Sequence, residues 1–390
     1  MTTNNGQMRF AFPMVQLGEV VRPAERFESP QPGRPYRQIG VRLWGQGAYE
    51  RETVDGAETK YSKLNRVETG DIIVNKIWAR NGSVTVVPHQ LAGCFCSGEF
   101  PLFQPTDGEL LPAWFFWLTK TRWLWDQCDK QSRGTSGKNR IRPEMFLAIE
   151  IPLPPLEEQR RIVARIDRLA AKIEEACRIK DQIESETRAL LRSRFLLIVD
   201  DAPRRKMADV APLVRRKADV RDGKEYPELG IRSFGKGTFH KPALDFLAVG
   251  SKKLYRIEPG DLVFNNVFAW EGAVAVAQPE DEGRFGSHRF ITCVPRPGVA
   301  TADFLCFYFL TPEGLEQIGE ASPGGAGRNR TLGLEKLAEI VVPVPPYDQQ
   351  LAFGRLMQRV REMNVVNERA LKELDTLLPS ILDRAFRGEL

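Results

Sequence analysis

The chain has 390 residues, of which 42% are hydrophobic and 27% charged, and its formal net charge is +5. That length holds more than one core, and that composition is ordinary for globular protein, not for a disordered or fibrous chain. The mild basicity suits a nucleic-acid partner without requiring one. Cysteines stand at 94, 96, 128, 177, 293 and 306 and histidines at 89, 240 and 288, with no CxxC pair. This pattern argues against a four-ligand zinc site and for reduced thiols, so a cytoplasmic location is expected. No N-terminal signal and no 18-residue apolar run is visible, so no membrane partner is expected.

Read from the N-terminus, nearly every segment returns about 190 residues later. "LGEVV" at 17–21 meets "MADVA" at 207–211, and "IGVRLWGQGAYER" at 39–51 meets "LGIRSFGKGTFHK" at 229–241. "ETGDIIVNKIWARNGSVTVV" at 68–87 meets "EPGDLVFNNVFAWEGAVAVA" at 258–277. "FCSGEFPLF" at 95–103 meets "FGSHRFITC" at 285–293, and "SGKNR" at 136–140 meets "AGRNR" at 326–330. A period this long makes each copy a domain, not one unit of a solenoid. β-branched runs punctuated by glycine, such as "GDIIVNKIW" and "GSVTVVP", read as strands. Gly70-Asp71 and Gly260-Asp261 read as turns ahead of them. "LPAWFFWLTKTRWLWDQ" and "TADFLCFYFLTPEGLEQI" each read as a helix packed on the sheet. The expected class is α+β.

Each copy closes on a Pro-rich boundary, "EIPLPPLEEQRRIVARID" at 150–167 and "VVPVPPYDQQLAFGRLMQ" at 341–358. Proline suits a first helical turn, and Glu157 and Glu158 suit the positive end of the helix dipole. Steps of four and three then give apolar seams. The first runs through Ile162, Ile166, Leu169, Ile173, Ile183, Leu190 and Leu197. The second runs through Phe353, Leu356, Val360, Met363, Leu374 and Leu377, with its next steps at Ile381 and Arg384. Pro379 is expected to kink or end the second helix. Either the two helices pack on each other as an antiparallel, coiled-coil-like rod, or each packs on its own domain.

Chemistry of its own is hard to locate. "VPPY" at 344–347 has Val344 where a methyltransferase motif needs a polar residue. "GTSGKN" at 134–139 has the wrong spacing for a P-loop, and Asn139 stands where Mg²⁺ needs a hydroxyl. Asp55, Glu58 and Lys60 could be arranged as a nuclease centre, but the second copy lacks them. No catalytic and no metal-binding residue is expected.

The residues "PLPPLEEQRRIVARIDRL" at 152–169 and "LLPSILDRAFRGEL" at 377–390, with the two-copy layout, resemble the specificity subunits of Type I restriction–modification systems. The likeness covers nearly the whole chain. It implies target recognition domains at 1–153 and 203–343 in a pseudo-twofold tandem repeat, with spacer helices at 154–202 and 344–390. Each domain would read one half of a split, asymmetric site in double-stranded DNA. The helices would set the spacing and dock two modification (methyltransferase) subunits, which restriction (translocase/nuclease) subunits join. The chain itself would hold no cofactor; S-adenosylmethionine, ATP and Mg²⁺ are expected in the partner subunits. The second boundary departs from the pattern, with Tyr347 in place of Leu156 and no Arg pair. The competing readings are a two-domain protein scaffold that reads no sequence, and an enzyme with an unrecognised site.

Three segments are candidates for DNA contact, since Arg reads guanine, Asn reads adenine, and both bind phosphate. The first is the glycine-rich loop with Arg133, Lys138, Asn139, Arg140 and Arg142, and its repeat with Arg328, Asn329 and Arg330. The second is the turn between the repeated strands, where Lys76, Arg80 and Asn81 face Asn266, Trp270 and Glu271. Its alternative reading is hairpin chemistry alone, with Trp78 and Phe268 in the core. The third sets Ser97 and Glu99 against Ser287, His288 and Arg289. "RRK" at 215–217 is either a phosphate contact or solvated surface.

Overall fold

The computed structural model describes residues 11–132, 140–324 and 330–390. Packing divides the chain into two units, Met1–Lys180 with Asn367–Leu390, and Asp181–Val366. Both long helices, Leu156–Val199 and Tyr347–Phe386, cross that division, so each unit holds one end of each.

In the first unit the strand Ile72–Val74 is wholly buried and lies between Val84–Val86 and Leu102–Pro105, both antiparallel, with Val21–Pro23 beyond. Side chains alternate along a strand, so one face of this sheet differs from the other. Ile72, Val74, Val84 and Phe103 enter one apolar cluster, completed by Trp114, Phe115 and Leu118. Ile73 and Leu102 enter another, closed by Ile39 and Val41 of a second sheet. That sheet runs in the order Phe27–Glu28, Leu64–Arg66, Phe95–Cys96, Pro35–Val41, Ala48–Asp55.

The second unit follows the same plan. Its first sheet is ordered Leu213–Val214, Phe290–Cys293, Leu262–Asn265, Val274–Val276, and its second Thr238–Leu244, Tyr226–Ile231, Phe285–Ser287, Leu254–Arg256. The strand Phe27–Glu28 is reduced there to a single bridge between Lys217 and Tyr255. The second-sheet hairpins share even their irregularity, a register shift between Arg37 and Ile39 in one and Pro227 and Leu229 in the other.

Polar clamps recur as well. Asp71, 2% exposed, takes both guanidinium nitrogens of Arg26 at 2.7 and 2.9 Å and the Glu68 N–H at 2.8 Å. Asp261 does the same with Arg216 and the Glu258 N–H. In the "RRK" run Lys217 is exposed, but its two neighbours have partners in the protein. Arg216 is tied to Asp261, and Arg215 lies 4.6 Å over the Tyr255 ring.

Each segment read as one helix is two. The first unit has Pro112–Leu118 and Arg122–Ser132; the second has Ala302–Phe309 and Pro312–Glu320. Thr119 and Thr121 turn their hydroxyls back onto the Phe116 and Leu118 carbonyls, which draws the chain out of helix. Thr311 caps the helix that starts at Pro312 by accepting the Gly314 N–H.

The long helices are anchored at their ends. Ile162, Ile166 and Ala170 share the first unit's main cluster with Leu382, Ala385 and Phe386, and the Phe386 ring meets Trp114 edge-on at 4.8 Å. Trp117 Nε1 donates to Asp167 at 2.8 Å. In the second unit Phe195, Ile198 and Phe353 join the core. The four-three seams fit only partly. Ile162, Ile166 and Phe353 are buried, and Leu169, Ile173, Leu356, Val360 and Leu374 are half-buried, but Ile183, Leu190, Met363 and Leu377 are exposed. At the far end of each helix the buried face has moved on one residue, to Ile198 instead of Leu197, and to Leu382 and Ala385 instead of Ile381 and Arg384. A straight helix drifts about 20° per heptad, so the five heptads from Ile162 and the four from Phe353 accumulate roughly 100° and 80°, close to the 100° that separates adjacent residues. Nor does Pro379 end its helix, which runs on to Phe386 because Leu382, Ala385 and Phe386 hold its last turns in the core.

A buried amide joins each helix to its unit. Gln159, 0% exposed, accepts the Leu111 N–H at 2.8 Å and donates to the Glu109 and Pro154 carbonyls at 2.7 and 2.9 Å. Gln350, also 0% exposed, accepts from Thr301 and donates to Val299 and Pro345 at 3.0, 2.9 and 2.8 Å. These glutamines are the repeated element of "PLEEQ" and "PYDQQ", and sequence reading passed over them in favour of the prolines and arginines.

Candidate nucleic-acid interface

The three candidate segments meet in each unit on the backbone N–H and C=O of one residue. In the first, the Lys76 N–H donates to the Glu99 carbonyl at 3.1 Å, and the Lys76 carbonyl accepts the Ile141 N–H at 2.9 Å. In the second, the Asn266 N–H donates to the Arg289 carbonyl and the Asn266 carbonyl accepts the Leu332 N–H, both at 2.8 Å. Lys76, Glu99, Arg140 and Arg142 are thereby gathered in one unit, and Asn266, His288, Arg289 and Arg330 in the other. Arg133, Lys138, Asn139, Arg328 and Asn329 lie outside the described residues.

The turn that carries Lys76 or Asn266 is shaped by local chemistry. Asn75 Oδ1 accepts the Ile77 N–H at 3.0 Å, and Asn265 Oδ1 the Val267 N–H at 3.1 Å, the self-bonding typical of asparagine turns. Short 3₁₀ turns follow at Ala79–Asn81 and Ala269–Glu271, and each closes on a glycine with positive φ, Gly82 at 74° and Gly272 at 78°. A Cβ on Gly82 would stand 2.7 Å from the Trp125 ring, so glycine is required there for space as well as for φ. The backbone frame is shared while the side chains on it differ: Lys76 against Asn266, Arg80 against Trp270, Asn81 against Glu271, Glu99 against Arg289.

Within this frame Arg140 pairs with Glu99 at 3.2 Å, both partly exposed. Arg80 and Asn81 are half-buried, and Arg142, His288, Arg289 and Arg330 are exposed. Trp270 is committed to the protein: its Nε1 donates to the Val267 carbonyl at 3.0 Å, its ring packs on the core, and the Arg330 guanidinium sits 5.7 Å above it. Among the described residues two buried acceptors here have no hydrogen-bond partner, Glu99 Oε2 and Asn266 Oδ1. A buried acceptor without a partner asks for a ligand or water. Trp78 and Phe268 are not core residues, being 45% and 39% exposed.

Sequence reading missed one contributor. The tip of the hairpin formed by Pro35–Val41 and Ala48–Asp55 leans on the turn, with the Trp44 N–H donating to the Asn81 carbonyl at 2.7 Å. Phe234 donates likewise to the Glu271 carbonyl at 2.8 Å. An open cleft beside Trp44 is lined by Arg42, Tyr49, Arg51, Asn75 and Trp78 and by no carboxylate. The only signal in the sequence was an aromatic residue before glycine in both copies.

Of the residues weighed for catalysis, Asp55 and Val344 serve structure. Asp55 accepts the Gly33 and Ala57 N–H groups at 3.1 and 2.8 Å, and these bonds hold its carboxyl below the usual range. Val344 packs against the second unit's apolar cluster. Burial pushes the Cys96, Cys128 and Cys293 thiols up to about 12, which leaves them inert. No helix of the described residues is long and apolar enough to cross a membrane.

Residues 27–185 match the family model described as "Type I restriction modification DNA specificity domain". That segment is similar to the DNA specificity domain of Type I restriction–modification systems. The chain is 23% identical over 355 residues to the Type I restriction enzyme EcoKI specificity subunit of Escherichia coli (strain K12), an alignment spanning 83% of this chain and 76% of that protein. Its fold is similar to the crystal structure of the HsdS subunit from Thermoanaerobacter tengcongensis, with a TM-score of 0.63 at 22% identity over 100% of both chains. A chain from work on "complex assembly and conformational transition of the type I R-M system" matches with a TM-score of 0.66 at 19% identity, over 98% of this chain and 100% of that one. The family match ends at residue 185, and the shared strand orders of the two units extend the same plan to the second copy.

Proposed function

We propose that each unit reads one half of a split, asymmetric site in double-stranded DNA. The domains of this reading are 1–153 and 203–343, and the helical segments 154–202 and 344–390 are an antiparallel spacer that docks two methyltransferase subunits, which restriction subunits join. The observation that carries the reading is the pair of hubs at Lys76 and Asn266. One backbone frame presents basic and amide side chains in both units, yet the side chains differ from copy to copy, as two half-sites of unlike sequence require. The exposed apolar residues along the helices, among them Ile183, Leu190, Val365 and Val366, suit docking by partner subunits. DNA contact at Arg133, Lys138, Asn139, Arg328 and Asn329 belongs to the same proposal.

The test is to map methylated bases in cells that carry the chain, lack it, or carry the triple variant Lys76→Asn, Arg80→Trp, Asn81→Glu. A split motif lost on deletion, and changed in one half only by the triple variant, is the expected result. A motif unchanged by either manipulation refutes the proposal. Lengthening the central helix by one turn, about 5.4 Å, is expected to change the gap between the half-sites and leave both halves as they are.

A further inference from the structure

Trp44 and Phe234 are the non-glycine residues with positive φ among the described residues, at 57° and 62°. They occupy equivalent places, since 44 + 190 = 234. Bulky side chains avoid this region, and glycine occupies it without strain. Two copies that differ across most of their readout surface have both kept an aromatic ring at a position glycine would fill more easily. The rings also stand out from the protein, Trp44 being 54% exposed and Phe234 75%. Trp44 touches the Trp125 ring edge-on at 5.7 Å and leaves more than half its surface open.

The backbone beneath each ring is fixed. In the first unit Arg42 N–H donates to Gly47 O at 2.9 Å, Gly45 N–H to Gly82 O at 3.1 Å, and Lys120 Nζ to Gly45 O at 3.1 Å. In the second, Arg232 N–H donates to Gly237 O and Gly235 N–H to Gly272 O, both at 2.9 Å. Each tip is thus bound to the turn that bears Lys76 or Asn266. Cations flank it, Arg42 and Arg51 beside Trp44, and Arg232 and Lys236 beside Phe234. A rigid apolar ring among cations suits a polyanion whose base steps can be opened or stacked upon.

We infer that Trp44 and Phe234 are aromatic wedges, one per unit, that stack on or insert at a base step of the bound duplex beside each half-site. This rests on the DNA-reading proposal above and adds a stacking component to it. A wedge supplies affinity that does not depend on counterion release, and it makes recognition sensitive to the deformability of a step that no side chain hydrogen-bonds.

The test uses Trp44→Gly and Phe234→Gly in the full chain assembled with its methyltransferase subunits. Glycine removes the ring and relieves the backbone, so folding is preserved or improved. Binding is measured across a salt series to a duplex bearing the mapped motif and to a scrambled duplex. 2-Aminopurine is placed at successive steps flanking each half-site. Each variant is expected to lose roughly 10- to 100-fold in affinity for the motif duplex, to keep the wild-type salt slope, and to lose the 2-aminopurine signal on its own side only. Affinities within twofold of wild type, with wild-type discrimination intact, overturn the wedges alone. Loss of methyltransferase assembly at unchanged DNA affinity assigns the rings to a protein contact and also overturns them. A wild-type complex that does not separate motif from scrambled duplex overturns the DNA-reading proposal itself, and the wedges with it.

Discussion

Replacing Gln159 by Leu keeps the side-chain volume and removes three hydrogen bonds, so it isolates the polar part of the joint between the first unit and its long helix. The change orphans the Leu111 N–H and the Glu109 and Pro154 carbonyls around a side chain that is 0% exposed. Each buried orphan costs about 1–3 kcal/mol. Partial rescue by water lowers the sum, and the expected loss is about 3–5 kcal/mol. Six of the seven tryptophans, Trp44, Trp78, Trp114, Trp117, Trp123 and Trp125, belong to the first unit, so tryptophan fluorescence in urea follows that unit. Gln159→Glu sharpens the test by setting a carboxylate oxygen against two carbonyls. Its folded pKa must rise above the unfolded value near 4.3. The variant is then most stable at low pH, where the protonated carboxyl donates once, and loses stability as pH rises through the folded pKa. A Leu variant within 1 kcal/mol of wild type, or a Glu variant indifferent to pH between 4 and 8, refutes the reasoning.

Asp261→Ala strips Arg216 of its bidentate partner and the Glu258 N–H of its acceptor; with Arg216 20% exposed, a loss of about 2–4 kcal/mol is expected from chemical denaturation followed by circular dichroism. Ile198→Asp should destabilise the second unit by about 3–5 kcal/mol and Leu197→Asp by less than about 0.5, since they are 7% and 71% exposed; equal effects would restore the strict heptad. Under reducing conditions stability should fall as pH rises from 9 toward 12. The folded chain keeps protons on Cys96, Cys128 and Cys293 that the unfolded chain has released, at about 1.4 kcal/mol per pH unit for each thiol. Urea midpoints at successive pH values measure it, and Cys128→Ala should flatten the slope by its share. Arg140→Ala should weaken DNA binding and lower its salt dependence, while Glu99→Gln, which frees Arg140 and removes a negative charge, should strengthen binding. Matched effects of the same sign would remove Arg140 from the interface.

Much of this protein is written locally. The 190-residue offset, the glycines of the turns, the β-branched runs and the amphipathic helices depend on residues near one another in sequence, so pattern alone yields two α+β copies, each closing on a long helix. The candidate segments 75–83, 97–99 and 140–142 were legible one by one from their charge and repetition. That they form one surface was not, because the bonds joining Lys76 to Glu99 and Ile141 span tens of residues and leave no local trace. The same holds for Arg216, which reads as a solvated cation until Asp261 is seen to hold it, and for Gln159, two of whose partners lie about fifty residues upstream. The helix faces show the division most clearly. Periodicity named the helices, but a 3.5-residue ladder and a 3.6-residue helix part company over about four or five heptads, and only packing against each core decided that Ile198 and Leu382 turn inward. Sequence determined which elements exist and that they come twice; tertiary structure decided which side chains they hold out together, because that choice is made by long-range hydrogen bonds and burial.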